Sequence, residues 1–281
     1  MLLEVLDEHL LQDVRNALTE DIGSGDITAA LVPVDETAVA TVISREPAVL
    51  CGMAWFNAVF AELDTGIHVN WDARDGETIE SDRNICHVTG PAAAILTGER
   101  TALNFLQTLS GTATLARRYA DAVSGLPVRI LDTRKTIPGL RQAQKYAVRT
   151  GGCHNHRMGL YDGILIKENH IAAAGSIEAA VAAACAASPG YPVEVEVENA
   201  DQLAEALAAG GDSLLLDNFS ASELAAAVKQ AAGRVQLEAS GGIDLENIRE
   251  MAATGVDMIS IGALTKYIYP VDFSLLFNNT R

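Results

Sequence analysis

The sequence predicts an α/β protein in two parts: a mixed α/β N-terminal domain and an open, incomplete (β/α) barrel. Three observations carry this. From about residue 128 onward, short apolar strands alternate with Ala-rich helical stretches, the pattern of a parallel sheet covered by helices. The alternation gives six strand–helix units, fewer than the eight of a complete barrel. Val and Glu alternate over 193–198, so one face of that strand is apolar and the other carries Glu194, Glu196 and Glu198. A doubly wound sheet is covered by helices on both faces and should be apolar on both, whereas a barrel has an interior where carboxylates can meet cations. An open doubly wound sheet stays as the alternative fold, and an exposed edge strand as the alternative home for the Glu column.

In the first part, apolar spacing predicts a helix over 6–19. A polar, Gly-rich turn follows over 21–28. Strands are expected over 38–44 and 67–71 with a helix over 53–63 between them, then a short strand over 85–88 and a long helix over 94–123 broken at Gly111. In the second part, strands are expected over 128–132, 163–167, 193–197, 213–217, 235–239 and 258–262. Helices fit near 139–150, 175–187, 200–209, 221–232 and 244–254.

Composition narrows the function. The 281 residues are 49% hydrophobic and 20% charged, an ordinary globular balance. The 37 Asp and Glu outnumber the 20 Lys and Arg, a net charge of -17 that disfavours nucleic acid and anionic membranes as partners. No apolar run approaches the roughly 20 residues of a membrane-spanning helix, and residues 1–4 resemble neither a signal nor a transit peptide; a cytoplasmic location is expected. Cys51, Cys86, Cys153 and Cys185 form no C-x-x-C pair and are expected to be reduced and mostly buried, with Cys153, in a polar loop, the one to watch.

The charge is unevenly placed. Residues 129–167 hold eight Lys and Arg against only Asp132 and Asp162, a net +6 that leaves -23 for the rest. Such a cluster in an acidic protein suggests a focused pocket for a small polyanion. Arg141, Lys145 and Arg149 recur at helical spacing and read as a solvated stripe; Arg134-Lys135 and His156-Arg157, in Gly- and Thr-rich loops, do not.

Barrel enzymes carry their working residues at the C-terminal ends of strands. Those ends here include Asp132-Thr133-Arg134-Lys135, Lys167, Glu196, Asp217, Ser240-Gly241-Gly242 and Gly262-Ala263. The last two Gly-rich loops suit a phosphate, since backbone N–H groups can approach it closely. Lys167 is either a Schiff-base nucleophile or a fixed cation, and the surrounding carboxylates favour the cation. Glu196 and Asp217 could flank one substrate atom or hold Mg²⁺ with substrate oxygens, or simply pair with Lys135 or Lys167. No histidine pair has zinc spacing, so a transition-metal centre is not expected.

The motifs 97–105, 131–136, 151–157, 165–170, 193–199 and 262–265, in this order, resemble the quinolinate phosphoribosyltransferase family over essentially the whole chain. Cys153-His154 departs from the small residues usual there, while Asn155-His156-Arg157 stand intact. The resemblance implies an N-terminal domain over 1–110, to which 267–281 return, and a barrel domain over 111–266. It implies a homodimer or higher homo-oligomer in which Arg100 completes the partner's site. It also implies phosphoribosyl transfer from phosphoribosyl pyrophosphate (PRPP) to quinolinate with decarboxylation, Mg²⁺ accompanying PRPP and no organic cofactor. By match to the family, Arg134, His156, Arg157 and Lys167 would hold quinolinate, with Arg100 supplied in trans. Lys135 would face the pyrophosphate side, Thr133 would be a further substrate contact, and Ser240, Gly241, Gly242, Ser260, Ile261 and Gly262 would hold the 5′-phosphate. Glu196 and Asp217 would lie at the ribose, and with Lys135 they form the expected catalytic group. Rival readings are a phosphoribosyltransferase for a monoacid such as nicotinate, a Schiff-base aldolase or decarboxylase, and an inactive sensor of phosphorylated metabolites.

Overall fold

The computed structural model describes residues 2–278; Met1 and residues 279–281, the end of the expected C-terminal return, lie outside the described residues. The chain runs through α1 (Leu2–Ile22), a 3-10 turn (Ala29–Leu31), β1 (Thr37–Ser44), β2 (Ala48–Val49), α2 (Met53–Leu63), β3 (His68–Trp71), β4 (Thr78–Ile79), β5 (Asn84–Pro91) and α3 (Ala92–Ala122). It continues through β6 (Arg129–Leu131), α4 (Arg141–Thr150), β7 (Ile164–Ile166), α5 (Glu168–Ala174), α6 (Ile177–Ala187), β8 (Val193–Val197) and α7 (Ala200–Ala209). It ends with β9 (Ser213–Asp217), α8 (Ala221–Ala231), β10 (Gln236–Ser240), α9 (Ile248–Ala253), β11 (Met258–Ser260), α10 (Ala263–Lys266) and β12 (Phe273–Phe277).

Two compact units result: Met1–Arg117 with Thr136–Gly152 and Tyr267–Arg281, and Arg118–Lys135 with Cys153–Lys266. In the first, an antiparallel sheet of order β12-β1-β5-β3 supplies one side of a core built with Trp55, Phe56 and Phe60 of α2 and Leu103 and Leu106 of α3. Strand β12 pairs antiparallel with β1, Leu275 opposite Val42. The expected break at Gly111 does not occur: α3 is continuous through it. The glycine serves a close approach instead, because a Cβ at this position would overlap the backbone carbonyl of Tyr269. The expected solvated stripe on α4 also fails at its centre. Ala143 and Ala147 of this helix join the first unit's core, and Lys145 is buried with them.

The second unit is a six-stranded parallel sheet of order β6-β11-β10-β9-β8-β7. Every consecutive pair from β7 to β11 is hydrogen-bonded, and β6 joins β11, as in a closed six-strand cycle missing one ladder. The sequence thus specifies a barrel open at the β6/β7 seam, and not a doubly wound sheet. Residues at the seam replace part of the missing ladder: His154 forms a parallel bridge with Leu131, donating its N–H to Ile130 O and accepting from Asp132 N–H. Helices close each unit with their own stop signals. The Asn199 and Ser176 side chains cap α7 and α6, so the helix expected over 175–187 is found as α6, and an additional short helix, α5, precedes it and ends at Gly175 in the left-handed region. Where a helix was expected over 244–254, Asp244 instead caps a turn that leads into α9. Cys51, Cys86 and Cys153 are buried and Cys185 is exposed, so the thiols are mostly buried as expected, the loop residue Cys153 among them.

Candidate active site

Strand alternation aims the second unit's site. Residues Glu196, Asp217, Ser240 and Ser260, at or near the C-terminal ends of four adjacent strands, line one cavity of about 450 Å³. The loop after β6 adds Thr133, Arg134 and Lys135, the seam loop adds His156 and Arg157, and β7 delivers Lys167 to the same cavity. Of the 15 residues that the sequence nominated, Arg100, Gly241, Gly242, Ile261 and Gly262 do not line it.

The loop geometry follows from local hydrogen bonds. Asp132, fully buried, accepts from the His156 N–H at 2.9 Å and from Asn155 Nδ2 at 2.6 Å, so it fastens the seam loop to the end of β6. Thr133 Oγ1 accepts the Lys135 N–H, and Thr265 Oγ1 donates to the Lys135 carbonyl. The Lys135 stem lies against Gly262, where an added Cβ would stand 3.1 Å from its Cδ. Gly262 therefore makes room for Lys135, and the Ile261 N–H is spent on the Leu131 carbonyl. Ile261 thus has its N–H engaged within the sheet, and Gly262 bears on the cavity through the Lys135 stem. Gly241 and Gly242 both have left-handed φ, and a Cβ on Gly241 would collide with Asn218, itself at φ 59°.

The expected carboxylate column is present and interior, because β8 pairs with both β7 and β9. Glu198, at its upper end, is exposed. Glu196 forms an ion pair with Lys167 Nζ, which makes Lys167 a fixed cation. Asp217 accepts from Asn218 Nδ2; burial raises its pKa, Lys167 and Lys135 pull it back, and Glu198 and Glu168 add to the rise. Arg157 donates to Gly163 O at 3.0 Å, and burial followed by the neighbouring Arg134 lowers its pKa. His170, ambiguous in the sequence, caps α5 by accepting the Lys167 N–H.

A second group was missed as a site. His156 Nε2 lies 3.0 Å from Glu194 and 3.5 Å from Glu238, with Ser213 donating to Glu194. Ligand atoms of the three residues fall within 4.8 Å of one another, so separate elements assemble a cluster that no spacing in the chain announces. A metal is nonetheless disfavoured. His156 Nδ1 accepts the Arg157 N–H at 2.7 Å, which assigns the ring proton to Nε2, the nitrogen facing the carboxylates. The signal available in the sequence was Glu238 itself, a lone carboxylate between Leu237 and Ala239 in an apolar strand.

An open α/β barrel whose mouth gathers arginines, lysines and carboxylates around one cavity defines an enzyme class that handles small phosphorylated or carboxylated substrates. Comparison with known proteins gives the family. The quinolinate phosphoribosyl transferase N-terminal domain profile matches residues 26–110, and the C-terminal domain profile matches 112–276. The chain is 43% identical over 269 residues to the nicotinate-nucleotide pyrophosphorylase [carboxylating] of Mycobacterium leprae, covering 93% of this chain and 95% of that protein. It is 42% identical to the probable enzyme of that name from Bacillus subtilis, covering 91% and 89%. The solved nicotinate-nucleotide pyrophosphorylase of Francisella tularensis superposes with a TM-score of 0.93 at 47% identity, covering 96% of each chain. The chain belongs to the quinolinate phosphoribosyl transferase family. Among the described residues no single helix is long and apolar enough to cross a membrane.

Proposed function

We propose that this chain transfers the phosphoribosyl group of PRPP to the ring nitrogen of quinolinate and removes the adjacent carboxylate. The products are nicotinate mononucleotide, pyrophosphate and CO2, for NAD synthesis in the cytoplasm. The observation that carries the reading is the convergence of Arg134, Arg157 and Lys167 with Glu196 and Asp217 in one cavity. Planar guanidinium forks suit a pyridine diacid. A monoacid would need fewer of these cations. The ion pair of Lys167 with Glu196 speaks against a Schiff-base lysine, which must lose its proton to react.

Bond cleavage at the ribose builds positive charge at C1, as in glycoside hydrolysis. Glu196 and Asp217 stabilise that charge and hold the ribose hydroxyls, while Lys135 and its neighbours stabilise the departing pyrophosphate. Ser240 and Ser260 face the 5′-phosphate. The residues fit a resident Mg²⁺ poorly. Glu196 already holds an ammonium and Asp217 faces two, so we place Mg²⁺ on the phosphates of PRPP as part of that substrate. The reading needs no organic cofactor: once ribosylated, the ring nitrogen is cationic and accepts the electrons that decarboxylation releases. The assembly is a homodimer or higher homo-oligomer, with Arg100 reaching the partner's quinolinate. Carboxyl-labelled quinolinate tests the proposal. Labelled CO2 is expected only when PRPP and Mg²⁺ are both present, and its absence with both present overturns the reading.

A further inference from the structure

Loss of CO2 leaves an electron pair on a ring carbon, and the product carries a hydrogen there. Some group must supply that proton, and none of the residues assigned above does so. We propose that Glu238 is the acid that protonates this carbon, with His156 stabilising the carboxylate left behind. The inference rests on the reaction proposed above and adds a residue to it.

The geometry points to Glu238 in four ways. It lines the cavity that gathers Arg134, Arg157 and Lys167. It also lines a second cavity of about 230 Å³, which is bounded by residues near the N-terminal ends of the same strands, among them Ile164, Ser213, Gln236 and Met258. His156 and Arg157 line both cavities as well, so these three side chains form the partition between a substrate chamber and a route to the opposite face. Third, the Glu238 side chain is 1% exposed, and its Oε1 has no hydrogen-bond partner, the condition of an oxygen that carries or awaits a proton. Fourth, His156 Nε2 hydrogen-bonds Glu194 at 3.0 Å and stands 3.5 Å from a Glu238 oxygen, so an anion formed on Glu238 lies beside that N–H.

The groups facing Glu238 decide whether a proton is held. Burial and Glu194 on β8 favour the neutral acid; His156 in the seam loop, Ser260 on β11 and Arg129 on β6 favour the anion. The balance pushes Glu238 up to about 7, so the acid form is well populated at neutral pH. In the step itself, the bond between the ring carbon and the carboxylate carbon breaks, CO2 departs and its bonding pair stays on the ring carbon beside the cationic nitrogen. The Glu238 O–H bond breaks and the C–H bond forms as CO2 leaves, so the release of CO2 depends on this proton transfer. Water reached through the second cavity returns the proton to Glu238, which balances the turnover.

The test separates the two half-reactions in a single turnover with quinolinate, PRPP and Mg²⁺. In Glu238→Gln, CO2 release is expected to fall about 100-fold while pyrophosphate release falls less than about 3-fold, within the range of general-acid effects. Equal loss of both products, or loss of neither, overturns the proposal. The wild-type protein supplies a second measurement that needs no variant: its CO2-to-pyrophosphate ratio in the first turnover should fall as pH rises through about 7. A ratio that stays flat from about pH 6 to about pH 9 overturns the proposal as well. A wild-type protein that releases no CO2 at all overturns the reaction itself, a distinguishable outcome.

Discussion

Arg157 and Lys135 show how single side chains are prepared for anions before any anion arrives. The Arg157 guanidinium is held by the Gly163 carbonyl, which spares part of the rotamer entropy that a free arginine loses on binding. Lys135 is fixed through its backbone by Thr133 and Thr265, and its stem rests on the bare Cα of Gly262. Neither residue belongs to the buried core. Replacing each by alanine therefore separates chemistry from stability. Lys135→Ala and Arg157→Ala are each expected to lower kcat/KM by roughly 10²–10³-fold, the scale of one lost transition-state contact, with little change in Tm. Steady-state kinetics beside thermal unfolding checks both. Near-normal turnover in either variant would remove that residue from the site.

At the scale of elements, the sequence is most legible where one period governs one environment. Strands β8 and β9 and helices α2 and α7 fall on the expected residues because alternation or helical spacing sets them locally. The short β2 and β4 carry too few residues for any period to register. The buried Lys145 was illegible for a different reason: its i, i+4, i+8 partners match a solvated stripe, and only tertiary packing of α4 decides otherwise. The candidate site divides along the same line. Residues at strand ends could be nominated from the chain. The structural duty of Asp132, and the meeting of Glu238 with Glu194 and His156, depend on which strands become neighbours. Gly111 shows the cost of local reasoning. Ala in place of Gly inside a helix ordinarily stabilises by about 1 kcal/mol. Here the added methyl would collide with the Tyr269 carbonyl. Gly111→Ala should therefore destabilise, by roughly 1–3 kcal/mol as in overpacked interiors, and a urea titration reads the sign directly. A rise in the midpoint would mean that the 267–278 segment yields without cost.

For the whole molecule, the net charge of -17 coexists with a cation-rich stretch of +6 over 129–167. An acidic body around a cationic pocket repels large polyanions and still attracts a small one, which fits a metabolite enzyme better than a nucleic-acid binder. Of the cations nominated for the site, Arg100 lies outside this stretch. Arg100 sits on α3 in the first unit, where it lines a separate cavity of about 430 Å³ with Asp26 and Thr28. Ile27 lines the same cavity and is exposed, as are Leu31 and Val34 a few residues further along the chain, apolar side chains of the kind a second copy would cover. If Arg100 serves the partner's barrel, its loss and the loss of a barrel residue must complement each other across subunits. In a hybrid of Arg100→Ala with Arg157→Ala, the barrel of the first subunit is intact and receives Arg100 from the second, so one of its two sites works. Random reassortment of equal amounts makes half the dimers hybrid, and about a quarter of wild-type activity should return from two inactive preparations. Activity that stays at the level of the separate variants after verified subunit exchange would assign Arg100 to its own chain or to no site at all.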